Sequence, residues 1–155
     1  MAPASGDVPQ GFVRLTRLDV TFSAGPGAEG NQVPDVVEHL DVREEWLRAL
    51  LGTGRPERLH IVNVRGDSMS STINSGDIAF VDPTVTHFDA DGIYVLVWHN
   101  RALIKRLRMQ VNGRLAIQSD HPDRNAYPIE YVSGDEADRL HIQGKVVGWW
   151  TLKRS

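Results

Sequence analysis

The chain has 155 residues, 41% hydrophobic and 24% charged, with a formal net charge of −3 and no cysteine. That length holds one domain with a real core. The charge argues against a nucleic-acid module acting through a basic face, and the missing thiols exclude disulfides, cysteine metal sites and thiol catalysis, which suits a reducing cytoplasm. No apolar run approaches the roughly 20 residues of a membrane span. The opening MAPASGDVPQG lacks the basic-then-apolar order of a secretory signal. A cytoplasmic chain with no membrane partner is the expectation.

Residues 1–11 are small, polar and rich in proline and glycine, and we place a linker over residues 1–16 and one domain over 17–155. RLDVTFS alternates Leu18, Val20 and Phe22 as a short strand, ending in the turn-rich AGPGAEGNQ. DVREEWLRALLGTG reads as the one clear helix, with an apolar stripe of Val42, Trp46, Leu47 and Leu50, Asp41 as its cap, and Gly52 or Gly54 at its end. The remainder reads as strands: RLHIVNV, DIAFVD, GIYVLVW, ALIKRLRM, GRLAIQS and the closing RLHIQGKVVGWW. Asn112-Gly113 is the strongest hairpin signal, and HPDRNAYP is a loop. The fold class is mostly β, a barrel or sandwich of short strands with one short helix. Val146, Val147, Trp149 and Trp150 are too apolar for a free tail and belong to the core or to a dimer contact.

Two residues stand out chemically. Alternation in ALIKRLRM puts Lys105 on the face of Leu103, Leu107 and Met109, and Ile104, Arg106 and Arg108 on the other. An ammonium on the more apolar side loses hydration, which lowers its pKa and makes a neutral amine available as a general base. The bland alternative is a lysine that snorkels to the rim. The polar window VRGDSMSSTINSGD follows the strand RLHIVNV, and Gly66 permits a sharp turn that exposes Ser68 and nearby backbone N–H groups. A serine hydroxyl needs a base. The six histidines, His39, His60, His87, His99, His121 and His141, form no triad or HExxH spacing, GxSxG is absent, and no metal or cofactor is called for. A Ser-Lys dyad remains, and GDSM by itself supports only a turn.

The ordered set VRGDSMSSTINSGDIAFVD, DGIYVLVW, LIKRL, GRLAIQSDHP and IQGKVVGWW resembles the LexA/phage-repressor family of self-cleaving serine peptidase domains, over roughly residues 17–150. The resemblance implies Ser68 as nucleophile, Lys105 as its base, the N–H groups of Asp67 and Ser68 facing the oxyanion, and a scissile Ala24-Gly25 bond. The bland reading of AGPG is a turn. The sequence departs from the family's pattern at three places: Ser71 replaces a proline common after the nucleophile, Leu103 a threonine two residues before the LexA lysine, and His121 an asparagine. About 15 residues precede the first expected strand, too few for the helix-turn-helix domain through which full-length repressors meet DNA. The resemblance therefore implies a repressor C-terminal domain that forms a homodimer and cleaves itself, with a RecA filament or an antirepressor protein as partner. The alternatives are a non-cleaving dimerisation module and a UmuD-like polymerase subunit. Signal peptidases share the chemistry but are membrane anchored.

Overall fold

A computed structural model describes residues 6–18, 37–52, 55–98 and 101–151. The architecture is mostly β, in two sheets. β1 (Phe12–Thr16) pairs antiparallel with β2 (His39–Arg43). The larger sheet has the order β3-β4-β9-β5-β6-β7-β8 and does not close into a barrel. Its strands are β3 (His60–Asn63), β4 (Ile78–Asp82), β5 (Gly92–Trp98), β6 (Arg101–Met109), β7 (Leu115–Gln118), β8 (Glu130–Val132) and β9 (His141–Trp150).

The strand periodicity sorts the core. On β5, Ile93 and Val95 face a cluster with Met69, Ile73, Val81 and Val146, while Tyr94 and Leu96 face Leu107, Leu115 and Ile142. A third cluster joins the sheets through Leu15, Val42, Leu47, Ile61 and Phe80. β9 runs as one ten-residue strand between β4 and β5, with a register shift on each side. It fits there because Gly144 has no side chain: a Cβ would lie 2.9 Å from the Asp82 carbonyl oxygen. Val146 is core, whereas Trp149 and Trp150 keep more than a third of their surface exposed.

The helix of the sequence reading is present but shorter. α1 (Glu44–Leu51) begins where β2 ends, with Glu44 and Glu45 favouring its positive end, and stops at Gly52 in the left-handed region, φ 61°. Asp41 does not cap it. Asp41 lies in β2 and takes a two-pronged ion pair from Arg14, at 2.7 and 2.9 Å. Val42 is likewise a buried strand residue, because pairing with β1 claims residues 39–43 before the helix starts. Leu50 points outward and is 60% exposed. Leu47 is buried, and Trp46 packs on Phe80 and Trp150 at ring separations of 6.1 and 5.5 Å. A second helix, α2 (Gly134–Ala137), was not anticipated; Ser133 and Glu136 close a capping box around its start.

β1 also arises inside the segment read as a linker. After it, Arg17 bridges to Ile61, and the Leu18 N–H donates to the Ile61 carbonyl at 2.8 Å. Val20, Phe22 and the Ala24-Gly25 pair lie outside the described residues. Where description resumes, Val37 is held by Asn63, whose side chain accepts from the Val37 N–H at 3.1 Å and donates to its carbonyl at 2.9 Å. Both anchors fall on β3, the strand that leads into the Ser68 turn.

Candidate active site

The loop between β3 and β4 is closed at its base. The Val64 N–H donates to the Asp77 carbonyl and the Gly76 N–H to that of Val64, at 3.0 and 2.9 Å. Asp77 is buried and accepts from the Asn74 N–H at 2.8 Å and the Thr151 hydroxyl at 3.1 Å. Gly66 takes φ 80°, the left-handed turn expected of it. Two overlapping turns follow, with bonds from the Ser70 N–H to the Asp67 carbonyl and from the Ile73 N–H to the Met69 carbonyl. Met69 and Ile73 are buried and pin these turns to the core. Ser68, at their start, is half-buried and lines a cleft of about 580 Å³. Ser71 carries φ 84°, a region a proline cannot enter, so the backbone here suits the residue that is present.

Lys105 lines the same cleft from β6. It is half-buried, as the face count anticipated, while Leu107 beside it is buried and Met109 at the strand end is 46% exposed. The opposite face is also partly covered: Ile104 packs on the core, and Arg106 makes a two-pronged pair with Asp120 at 2.8 and 2.7 Å. Burial pushes the Lys105 ammonium below its ordinary pKa; Glu130 opposes this and Arg101 adds to it. Its Nζ donates to the hydroxyl of Ser119 at 2.5 Å. Ser119 is buried and was not singled out by the sequence reading.

The segment from Ser119 to Tyr127 is fastened to the Ser68 turn by several bonds. The His121 N–H donates to the Ser68 carbonyl at 2.9 Å, the Asp120 N–H reaches the Met69 sulfur at 3.4 Å, and the Ser71 hydroxyl reaches the Asp120 carbonyl at 3.4 Å. The Tyr127 hydroxyl donates to Asp67 at 2.5 Å, and the Tyr127 ring lies 4.7 Å from that of His121. The Tyr127 hydroxyl, more than any other group, holds the Asp67 carboxyl below the usual carboxylate range, and the Asp67 backbone N–H contributes too. The fold thus gathers Asp67, Ser68 and Lys105 on one cleft and adds Ser119 and Tyr127. Among the described residues, no cluster of histidine, aspartate and glutamate could hold a metal ion, and no helix is long and apolar enough to cross a membrane.

A mostly β domain with a turn-borne serine and a half-buried lysine on one cleft has the residue types that a serine peptidase of the Ser-Lys kind uses. The family model described as Peptidase S24-like matches residues 18–147, and the chain belongs to that family. The chain is 44% identical over 138 residues to a 26 kDa repressor protein of Escherichia phage HK022, covering 88% of this chain and 57% of that protein. It is 30% identical over 159 residues to an uncharacterized HTH-type transcriptional regulator of Haemophilus influenzae, covering 94% of this chain and 64% of the relative. The chain thus spans about three-fifths of the length of these relatives.

Proposed function

We propose that this chain is the C-terminal domain of a phage-type transcriptional repressor, and that it cuts its own Ala24-Gly25 bond with Ser68 as nucleophile and Lys105 as base. The observation that carries the reading is the presence of Ser68 and a half-buried Lys105 on the walls of one cleft, in a chain of the Peptidase S24-like family. In the first step the neutral Lys105 amine takes the Ser68 hydroxyl proton while Oγ bonds to the Ala24 carbonyl carbon. The N–H groups of Ser68 and Asp67 would stabilise the oxyanion. The Lys105 ammonium then gives its proton to the Gly25 nitrogen as the C–N bond breaks. A water, deprotonated by the same amine, hydrolyses the acyl-serine and restores both residues.

The tether supports this reading. Leu18 and Val37, which bracket the 18 residues from 19 to 36 in the sequence, are both held on β3, by Ile61 and Asn63. Ala24 lies six residues beyond Leu18, a reach of about 20 Å, and Ser68 lies seven residues beyond Ile61, at most about 25 Å of chain. A tethered substrate has a high effective concentration, so a modest catalyst suffices. Trp149 and Trp150, each more than a third exposed at the end of β9, support a homodimer through the C-terminal strand. Cutting between the dimerising domain and an attached DNA-binding domain would relieve repression. The test is incubation of the wild type, Ser68→Ala and Lys105→Ala near pH 9–10, with products read by mass spectrometry. A fragment beginning at Gly25 in the wild type alone supports the reading. Equal cutting in all three refutes it.

A further inference from the structure

The hydroxyl nearest the base is not the one assigned as nucleophile. Lys105 Nζ donates to Ser119 Oγ at 2.5 Å, and Ser119 is 4% exposed. The register explains the meeting: β6 and β7 pair Arg106 with Gln118 and Leu107 with Ile117, and one further step in the same register sets Ser119 across from Lys105. The segment that begins at Ser119 is in turn bonded to the nucleophile's turn. The Ser119 carbonyl accepts from Arg124 at 2.8 Å, and two residues on, the His121 N–H holds the Ser68 carbonyl at 2.9 Å. Leu103, the residue that shares a strand face with Lys105 one step earlier, offers no hydroxyl. A lysine amine on four methylenes has many rotamers, and a base is useful only when its lone pair points at the proton it must take.

We propose that Ser119 is a positioning residue: by accepting one Nζ–H of Lys105 it fixes the amine and directs its lone pair toward Ser68. This deepens the self-cleavage reading and rests on it for its catalytic consequence. The geometry itself, a buried hydroxyl bonded to the amine on a segment bonded to the Ser68 turn, is independent of that reading. The charged and titratable groups that line the cleft with Lys105 are Glu130 from β8, Arg101 from β6, Arg65 and Asp67 from the turn, and Tyr127 from the loop before β8; Glu130 and Arg101 act on the amine by charge.

The test compares wild type, Ser119→Ala, Ser119→Thr and Ser68→Ala by the rate of self-cleavage across pH. It also follows the titration of the Lys105 amine by NMR of selectively labelled lysine in the Ser68→Ala background. With Ser119→Ala the plateau rate falls about ten- to a hundredfold, because the amine loses its fixed aim. Its titration midpoint and the acid limb of the rate profile move to lower pH together, because the ammonium loses an acceptor. Ser119→Thr, which keeps the hydroxyl, restores both. A structural defect alone would lower the amount of active protein and leave the midpoint unmoved. An unchanged rate and midpoint in Ser119→Ala overturns the proposal. Loss of all cleavage in Ser119→Ala with cleavage retained in Ser68→Ala also overturns it, by making Ser119 the nucleophile. If the wild type does not cleave, the self-cleavage reading fails, and the titration alone decides the positioning: a lowered midpoint supports it, and an unmoved one overturns it.

Discussion

The pair between Arg106 and Asp120 sets the frame of the cleft, and its strength can be measured. Arg106 donates two bonds, at 2.8 and 2.7 Å, to Asp120, whose side chain is 8% exposed against 32% for Arg106. Burial pushes the Asp120 carboxyl up, and the Arg106 fork, a Thr72 hydrogen bond and the charges of Arg106 and Arg124 together outweigh it, so its folded pKa lies below the ordinary value. One partner is buried and the other partly wet, so the coupling should exceed that of an exposed pair, up to about 1 kcal/mol, and stay below the about 3–5 kcal/mol that deleting one partner of a buried pair costs. We expect about 2 kcal/mol. The assay is a double-mutant cycle of Asp120→Ala and Arg106→Ala by urea unfolding at pH 7. Asp120→Ala alone should lower Tm by about 4–8 °C. A carboxyl whose folded pKa is depressed contributes stability that is fully present above its unfolded value, about 3.9. That stability is lost as the pH falls through the folded value. The coupling should therefore hold from neutral pH down to about pH 4 and vanish only below. A coupling under about 0.5 kcal/mol at pH 7 would refute the argument.

Other outcomes follow from single contacts. Ser71→Gly should raise stability by about 0.5–1 kcal/mol, because φ 84° strains an L residue, whereas Ser71→Pro should destabilise; chemical denaturation distinguishes them. Gly144→Ala should cost about 2–3 kcal/mol in the same assay, since its Cβ would meet the Asp82 backbone and the Val81 side chain. Asn63→Ala removes both bonds to Val37, and amide exchange at Val37 should quicken about tenfold or more.

The strands were legible where their chemistry was local. Short apolar runs located β3 to β7 and β9, and alternation along β6 put Lys105 on a half-buried face. Errors came where a local signal had a stronger distant competitor. Asp41 and Val42 resemble the start of a helix, but their pairing with β1, some 27 residues earlier, is a long-range event that periodicity does not reveal. β8 was missed because three residues between loops carry too little pattern. α2 was missed although Ser133 and Glu136 hold the spacing of a capping box. Ser119 was hidden by one residue of register. A two-residue turn at Asn112-Gly113 would set Ser119 opposite Arg106, on the wrong face of the strand. The actual connection runs from Gln110 to Arg114, closed by the Gln110 N–H on the Arg114 carbonyl at 2.7 Å, and this shifts Ser119 to Lys105.

The most direct test of the central claim is the pH dependence of cleavage at Ala24-Gly25. If the neutral Lys105 amine is the base, the rate should rise about tenfold per pH unit and level off below the ordinary lysine value of about 10.4, since burial lowers the pKa of this amine. The sole new N-terminus should be Gly25, and Ser68→Ala should remain whole throughout. A rate that does not change with pH, or a cut that persists in Ser68→Ala, would contradict the account.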